Sequence, residues 1–269
     1  MKTINIFQIC YNSETQESRD PGFFPLDNMD NLRPDWREYW PIRTYLLNNH
    51  LDEKSLYGFF SPKFNAKTGL SSNDCFEFIN SQSSDVDVFS FSPYFDSSGW
   101  FQNIFFQAAS HHPNCASILE EAVKIIDPSV RVADLVMHSG NTIFCNFFVA
   151  TPKFWRAWLE KCELIWMLAE ANETPISKAL NGLADDHDSP AAIKTFLIER
   201  IASLILAVDD QWTVRSYDPF KLPLSPARIS EEMGALIQMD ALKIAYVNQK
   251  RVEYLNFYRH IQSLVLKNL

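Results

Sequence analysis

Asp85 and Asp87 form a D-x-D pair, and two carboxylates beside a strand can share a divalent ion with a diphosphate. The pair precedes the apolar run VFSFSP, so it stands at the entry of a strand, whereas open α/β sheets bind ligands beyond the carboxyl ends of their strands. Strand-entry acids, with Asp85 facing solvent, are therefore favoured over a metal site, and Asp96, beyond the far end of that run, is the better-placed carboxylate. Lys63 and Lys67 follow another apolar run, in SPKFNAKTG, and can neutralise a phosphate as point charges, although solvated lysines are common there. His111 and His112 can donate to a phosphate oxygen or act as acid or base; adjacent helical side chains diverge, so one of them at most enters a site, and His112 is favoured. The contiguous run Asp185, Asp186, His187 and Asp188 reads as a capping loop rather than a ligand cluster. Glu199, inside FLIERIASLILAV, is a carboxylate in an apolar helix and must be either paired or poised for chemistry.

These residues need a scaffold, and its first piece is the amino-terminal stretch. INIFQIC alternates apolar and polar side chains as a half-buried strand does, then empties into a long loop rich in Asp, Asn, Pro and Gly. Gln8, Tyr11, Asp20, Asp27, Asn28 and Asn31 thus fall where a ligand is expected, beyond a strand's carboxyl end. A turn-rich surface connection accounts for the same residues.

Further strands are expected in Leu56–Phe64, Asp85–Pro93 and Asn141–Pro152. Helical spacing separates them, in TGLSSNDCFEFINSQ, FQNIFFQAASHHPN and the segment from Cys115 to Ile126, and continues in PKFWRAWLEKCELIWMLAEA. Such alternation predicts an α/β fold. Ile229–Leu269 reads as one long helical pattern, broken once at most, and DPFKLPLSP, from Asp218 to Pro226, resembles a hinge before it. The expected organisation is a body over residues 1–217 and a helical extension over 218–269.

With 269 residues, 46% hydrophobic and 21% charged, the chain can bury a full core. A formal net charge of −9, with no run of Lys and Arg, argues against a nucleic-acid partner. The five cysteines, Cys10, Cys75, Cys115, Cys145 and Cys162, lack zinc or C-x-x-C spacing and read as reduced core thiols. Neither a leader pattern nor an apolar run of membrane-spanning length is seen, so a cytoplasmic location is expected, at most peripheral on the inner membrane. The sequence also lacks the G-x-G-x-x-G, Walker A, G-x-S-x-G and H-E-x-x-H patterns.

The order of the blocks resembles the GT-A-like glycosyltransferases of bacterial surface-polysaccharide clusters, which assemble lipopolysaccharide O-antigen or capsule. PLDNMDNLRPDWREYWPIRTYL followed by LYGFFSPKF is similar to their early Asp-Asn block; DVDVFSFSP with FQNIFFQAASHHPN, then NTIFCNFFVATPKFWRAWLEKC and FLIERIASLIL, resemble later ones. The resemblance implies a GT-A-like mixed, mostly parallel sheet flanked by helices, with the helical carboxyl-terminal extension. It implies transfer of a sugar, with galactose or galactofuranose among the hexoses considered, from a nucleotide diphosphate donor such as a UDP-sugar to a growing glycan or glycolipid acceptor. By position, Tyr11, Asp27, Asn28 and Asn31 would hold the nucleotide and Lys63 and His112 the diphosphate. Glu199 would lie near the acceptor, and Asp96 would be the general base of an inverting reaction. Many of these enzymes place a D-x-D pair after a strand; here it comes before one, which leaves a Mn or Mg cofactor open.

The basic end of the long terminal pattern could touch a membrane face or pair with a second copy, although packing on its own body is commoner. A transferase-like scaffold without turnover, serving a polysaccharide assembly complex, is the rival reading.

Overall fold

The computed structural model describes residues 2–184 and 191–267. The run from Asp185 to Asp188 lies outside the described residues. In chain order the first elements are β1 (Thr3–Cys10), α1 (Ser13–Glu17), β2 (Phe24–Asp27), α2 (Tyr39–Asn48), β3 (Ser55–Phe60), α3 (Phe64–Thr68) and α4 (Ser72–Asn80). Then come β4 (Val88–Ser90), α5 (Phe95–Trp100), α6 (Ile104–His111), α7 (Ala116–Ile126), β5 (Phe148–Ala150), α8 (Pro152–Ala171) and α9 (Pro175–Asn181). The last are α10 (Ile193–Ile198), α11 (Ile201–Val208), β6 (Val214–Ser216), α12 (Met233–Gln249) and α13 (Val252–Leu266).

The six strands form one mixed sheet in the order β2-β1-β3-β5-β4-β6. β1 pairs in parallel with β2 and β3, and β4 with β6, while β5 runs antiparallel to both of its neighbours. An α/β fold with a mixed, mostly parallel sheet flanked by helices is what the sequence predicts. Two strands differ from expectation by their presence. β2 lies within the long polar loop, where FPLD carries a proline that an edge strand tolerates because one side of its backbone needs no partner. β6 is three residues on the opposite edge, too short for a periodic signal.

The period-2 rule distributes side chains to two cores. Leu56 and Phe60 of β3 join Ile6, Val149 and Phe89 on the face covered by α3 and α4, where Phe64, Cys75 and Ile79 pack. Tyr57 and Phe59 join Ile9, Val88 and Phe148 on the other face, against Val123 of α7, Trp155 and Trp158 of α8 and Ile201 of α11. β3 is buried along its whole length, as expected for a strand covered on both faces. α8 starts where Thr151 accepts from the Phe154 amide and Pro152 occupies the first turn; it ends at Asn172 in the left-handed region.

α12 and α13 form a hairpin, broken at Lys250 (φ 55°), on a third core around Phe95, Leu236 and Tyr258. Gly99 allows α5 to approach α12 closely, since a Cβ there would lie 3.1 Å from Leu236 O. The buried Lys243 ammonium donates to Ser98 O and, at 2.8 Å, to Phe101 O, placing a cation on the carbonyl end of α5. Asp240 accepts from Ser139 N at 2.8 Å and from Ser139 Oγ at 2.6 Å. Among the described residues no helix is long and apolar enough to cross a membrane.

Candidate functional site

A cleft of about 320 Å³ opens at the carboxyl ends of β1, β2 and β3, and Tyr11, Asn28, Asn31, Lys63, Lys67 and Glu199 are among its lining residues. Tyr11 follows β1 in a turn set by Thr15, whose Oγ1 accepts from Tyr11 N at 3.0 Å and Asn12 N at 3.1 Å. Asn28 follows β2 and donates its amide to Cys10 O at 2.8 Å; Asn31, at φ 38°, returns its own amide to Asn28 O at 3.0 Å. Asparagine tolerates that left-handed backbone better than most residues. Gln8 is a positioning residue: its Nε2 donates to Pro62 O at 3.4 Å and its Oε1 accepts from Asp20 N at 2.9 Å, so it holds the loops after β1 and β3 together. Asp20 in turn accepts from Ser72 N at 2.8 Å, at the start of α4.

The opposite wall is the segment from Arg33 to Arg43, pinned by an aromatic and ionic lattice. Arg33 and Arg43 lie over the Trp166 ring at 4.9 and 4.1 Å from its centroid. Arg33 also pairs with Glu170 at 2.6 Å and Arg43 with Glu163 at 2.6 Å. Both bonds are charge-assisted, and Arg43 is held bidentately by the two Glu163 oxygens. This lattice presents Arg37 and Glu38 to the cleft. Arg37 has φ 47° and ψ −130°, a backbone region occupied almost exclusively by glycine.

At its inner end the cleft continues into a recess of about 30 Å³, reached past Lys67 and Glu199 and lined also by Tyr39, Thr195, Cys145 and Asn146. Because β5 is reversed, the residues preceding it, not those following it, lie at the carboxyl edge of the parallel strands. Cys145 and Asn146 reach the site this way, with consecutive φ values of 59° and 54°.

Glu199 stands at the break between α10 and α11. Burial raises its pKa, and Glu38 adds to that, against Arg200, Lys67 and Arg37. Its neighbour Arg200 is spent on structure, donating to Phe196 O at 2.6 Å, Gln107 Oε1 at 3.0 Å and Ile104 O at 3.2 Å. Lys67 Nζ lies 3.1 Å from Cys145 Sγ. Burial opposes its charge, while Cys145, which ionises only at high pH, and Glu199 favour it and raise its pKa, so Lys67 is a cation at neutral pH. Burial and Glu199 push the Cys145 thiol up to about 11, which keeps it protonated.

Of the residues singled out from the sequence, Tyr11, Asn28, Asn31, Lys63, Lys67 and Glu199 meet in this cleft. Asp27 ends β2 and turns aside: its Oδ1 accepts from Met29 N at 2.9 Å, and it borders a neighbouring depression with Trp40 and Thr44. Asp96 does not reach the cleft; it is wholly buried in α5 and accepts from Ser225 N at 2.9 Å and from Ser225 Oγ. His112 ends α6 with its ring 4.6 Å from that of Phe196 and is not among the lining residues. Asp87 sits at the strand-entry edge, where its oxygens accept from Thr213 N at 3.1 Å and Thr151 Oγ1 at 3.5 Å, and Asp85 is exposed beside Ser84. Arg37, Glu38, Cys145 and Asn146 are additions. No periodic signal marks them, although all four lie in blocks quoted above, Arg37 and Glu38 in the early one and Cys145 and Asn146 in NTIFCNFFVATPKFWRAWLEKC.

The cleft therefore combines an exposed tyrosine and two asparagine amides, suited to a planar polar ring, with two lysines suited to phosphate and one poised carboxylate. No family model matches the chain, and neither does any curated protein or solved structure.

Proposed function

We propose that the chain is a glycosyltransferase that takes a nucleotide diphosphate sugar, with a UDP-sugar as the first candidate, and passes the sugar to a hydroxyl of a glycan or glycolipid in surface-polysaccharide assembly. The observation that carries this reading is the meeting of Tyr11, Asn28, Asn31, Lys63 and Glu199, from four separate parts of the chain, in one cleft at the carboxyl edge of a mixed α/β sheet. The block resemblance supplies the chemistry.

In this reading the nucleotide lies along Tyr11, Asn28 and Asn31. Lys63 and Lys67 neutralise the diphosphate, and that charge matters most as the bond to the anomeric carbon breaks and its electron pair passes to the leaving oxygen. Glu199 takes the role first given to Asp96: it accepts the proton of the acceptor hydroxyl as that oxygen bonds to the anomeric carbon. A carboxylate whose pKa is raised by burial is a stronger base than an exposed one. Asp85 and Asp87 do not fit a metal shared with a diphosphate in this cleft, since Asp87 serves the opposite edge of the sheet. The diphosphate charge falls to the lysines.

The rival scaffold reading would suit a plugged cleft beside an exposed apolar tail. The α13 residues Phe257 and Leu264 are exposed, but among the described residues the cleft is open. Thermal stability with a panel of nucleotides and nucleotide sugars, each with and without Mn or Mg, decides between them. A donor should stabilise the fold by about 2.7 kcal/mol at a hundredfold excess over its dissociation constant. Absence of any shift, in folded protein, overturns the transferase.

A further inference from the structure

The recess at the inner end of the cleft carries a feature the catalytic reading does not use. Asn146 is 5% exposed, and its Oδ1 is buried without a hydrogen-bond partner among the described residues. Buried polar atoms are nearly always paired, so an orphan on a side chain that lines a recess marks a place where a small shift of that amide would let a partner from outside complete it. The backbone around it is strained. Cys145 and Asn146 are both left-handed, fixed by Phe147 N on Phe144 O at 3.2 Å and Phe148 N on Asn146 O at 2.9 Å. Strain of this kind gathers at ligand sites.

The surroundings narrow what the partner can be. An amide oxygen needs a donor. The recess sets the acids Glu38 and Glu199 against the cations Lys67 and Arg37 and lacks the further cation, Lys63, that the cleft adds, so it offers no net charge to hold an ionic group. A neutral hydroxyl needs none. A volume of about 30 Å³ admits a water-sized group and no ring.

We infer that this recess reads a single hydroxyl of the transferred sugar, with Asn146 Oδ1 accepting its hydrogen bond, and that Asn146 thereby determines which sugars are taken. The inference rests on the transferase reading and adds a substrate class: sugars that carry a free hydroxyl at the position entering the recess, as against their deoxy forms.

The test measures binding of a UDP-hexose and its single-position deoxy and deoxyfluoro analogues, each relative to UDP alone. At one position the deoxy analogue should bind at least tenfold more weakly, since a site built around a substrate hydroxyl rejects the analogue lacking it. The fluoro analogue, which accepts but cannot donate, should fare no better. Asn146→Leu should abolish that discrimination, and Asn146→Asp, which keeps an acceptor, should preserve it. Asn146→Gly suits the left-handed backbone and serves the same purpose as the leucine variant if that one does not fold.

If no nucleotide or nucleotide sugar binds the wild-type protein, the transferase reading itself fails. If nucleotide sugars bind but no position discriminates, or discrimination survives in Asn146→Leu or Asn146→Gly, this inference alone is overturned and the recess holds only water.

Discussion

Lys194 Nζ lies 2.6 Å from Asp35 Oδ2, and this bond joins the two walls of the cleft. Lys194 belongs to α10, the helix that delivers Glu199, and Asp35 belongs to the segment that delivers Arg37 and Glu38. The lysine is buried, lies 4.3 Å from the Trp36 ring centroid and donates also to Asn181 Oδ1 at 2.8 Å. Lys194→Met keeps the stem and removes the donors. It should cost about 1.5–3 kcal/mol in urea unfolding, the range for hydrogen bonds to charged groups. In a double-mutant cycle with Asp35→Asn the two losses should fall well short of additive, whereas independent losses would mean that the pair does not couple the walls.

Glu199 gives a pH-dependent test. Burial raises its pKa above the ordinary glutamate value of 4.5, so the folded state binds its proton more tightly than the unfolded chain does. The associated stability is present at pH 4 and is lost as pH rises through the folded pKa. Glu199→Gln should therefore match the wild type near pH 4 and melt higher than it at pH 8. Sugar transfer by the same variant should fall by about 10²–10⁴-fold, the usual worth of a general base, with donor binding retained. Retained transfer would remove Glu199 from the chemistry.

Lys67 should serve the diphosphate rather than the fold. Lys67→Met should weaken UDP binding by about tenfold, or about 1.4 kcal/mol, and lessen its salt dependence. Titration calorimetry at two salt concentrations reads both effects. Equal affinities for wild type and variant would place the diphosphate elsewhere.

Much of this site was legible because parallel strands deliver their following residues to one edge. Tyr11 after β1, Asn28 and Asn31 after β2 and Lys63 after β3 obey that rule, and it found them although β2 itself, a short edge strand with Pro25, went unseen. Cys145 and Asn146 escaped for the converse reason: they precede a reversed strand, and nothing in NTIFCNFFVATP announces the reversal. Asp96 was misplaced because its partner, Ser225, lies 129 residues away, beyond the reach of spacing arguments. Arg37 and Glu38 depend on a lattice of Trp166, Glu163 and Glu170 from α8, which local pattern does not reveal.

The terminal hairpin should report on pH through Lys243. Burial lowers its pKa to about 8, against the opposing pull of Asp240. The unfolded chain holds the proton more tightly, so the lysine's contribution to stability is fully present above about pH 10.5 and is lost as pH falls toward 8. Lys243→Met also gives up the bonds to Ser98 O and Phe101 O, so it should be less stable than wild type. Urea titrations should show the gap widening between pH 8 and pH 10. A gap independent of pH would mean that the lysine titrates normally.

Arg37 tests whether backbone strain is stored at the site. At φ 47° and ψ −130° a side chain costs about 1–3 kcal/mol that glycine does not. Arg37→Ala and Arg37→Gly both remove the guanidinium, so the lost contacts are common to the two and their difference isolates the backbone. At an ordinary position alanine is the more stable by about 0.5–1 kcal/mol, because glycine leaves the unfolded chain more freedom to lose. Here the order should reverse, with Arg37→Gly unfolding at the higher urea concentration. Both variants should bind UDP more weakly than wild type, since each takes a cation out of the cleft. If alanine is instead the more stable, the segment relaxes without cost and the wall between Arg33 and Arg43 is not held under strain by its lattice.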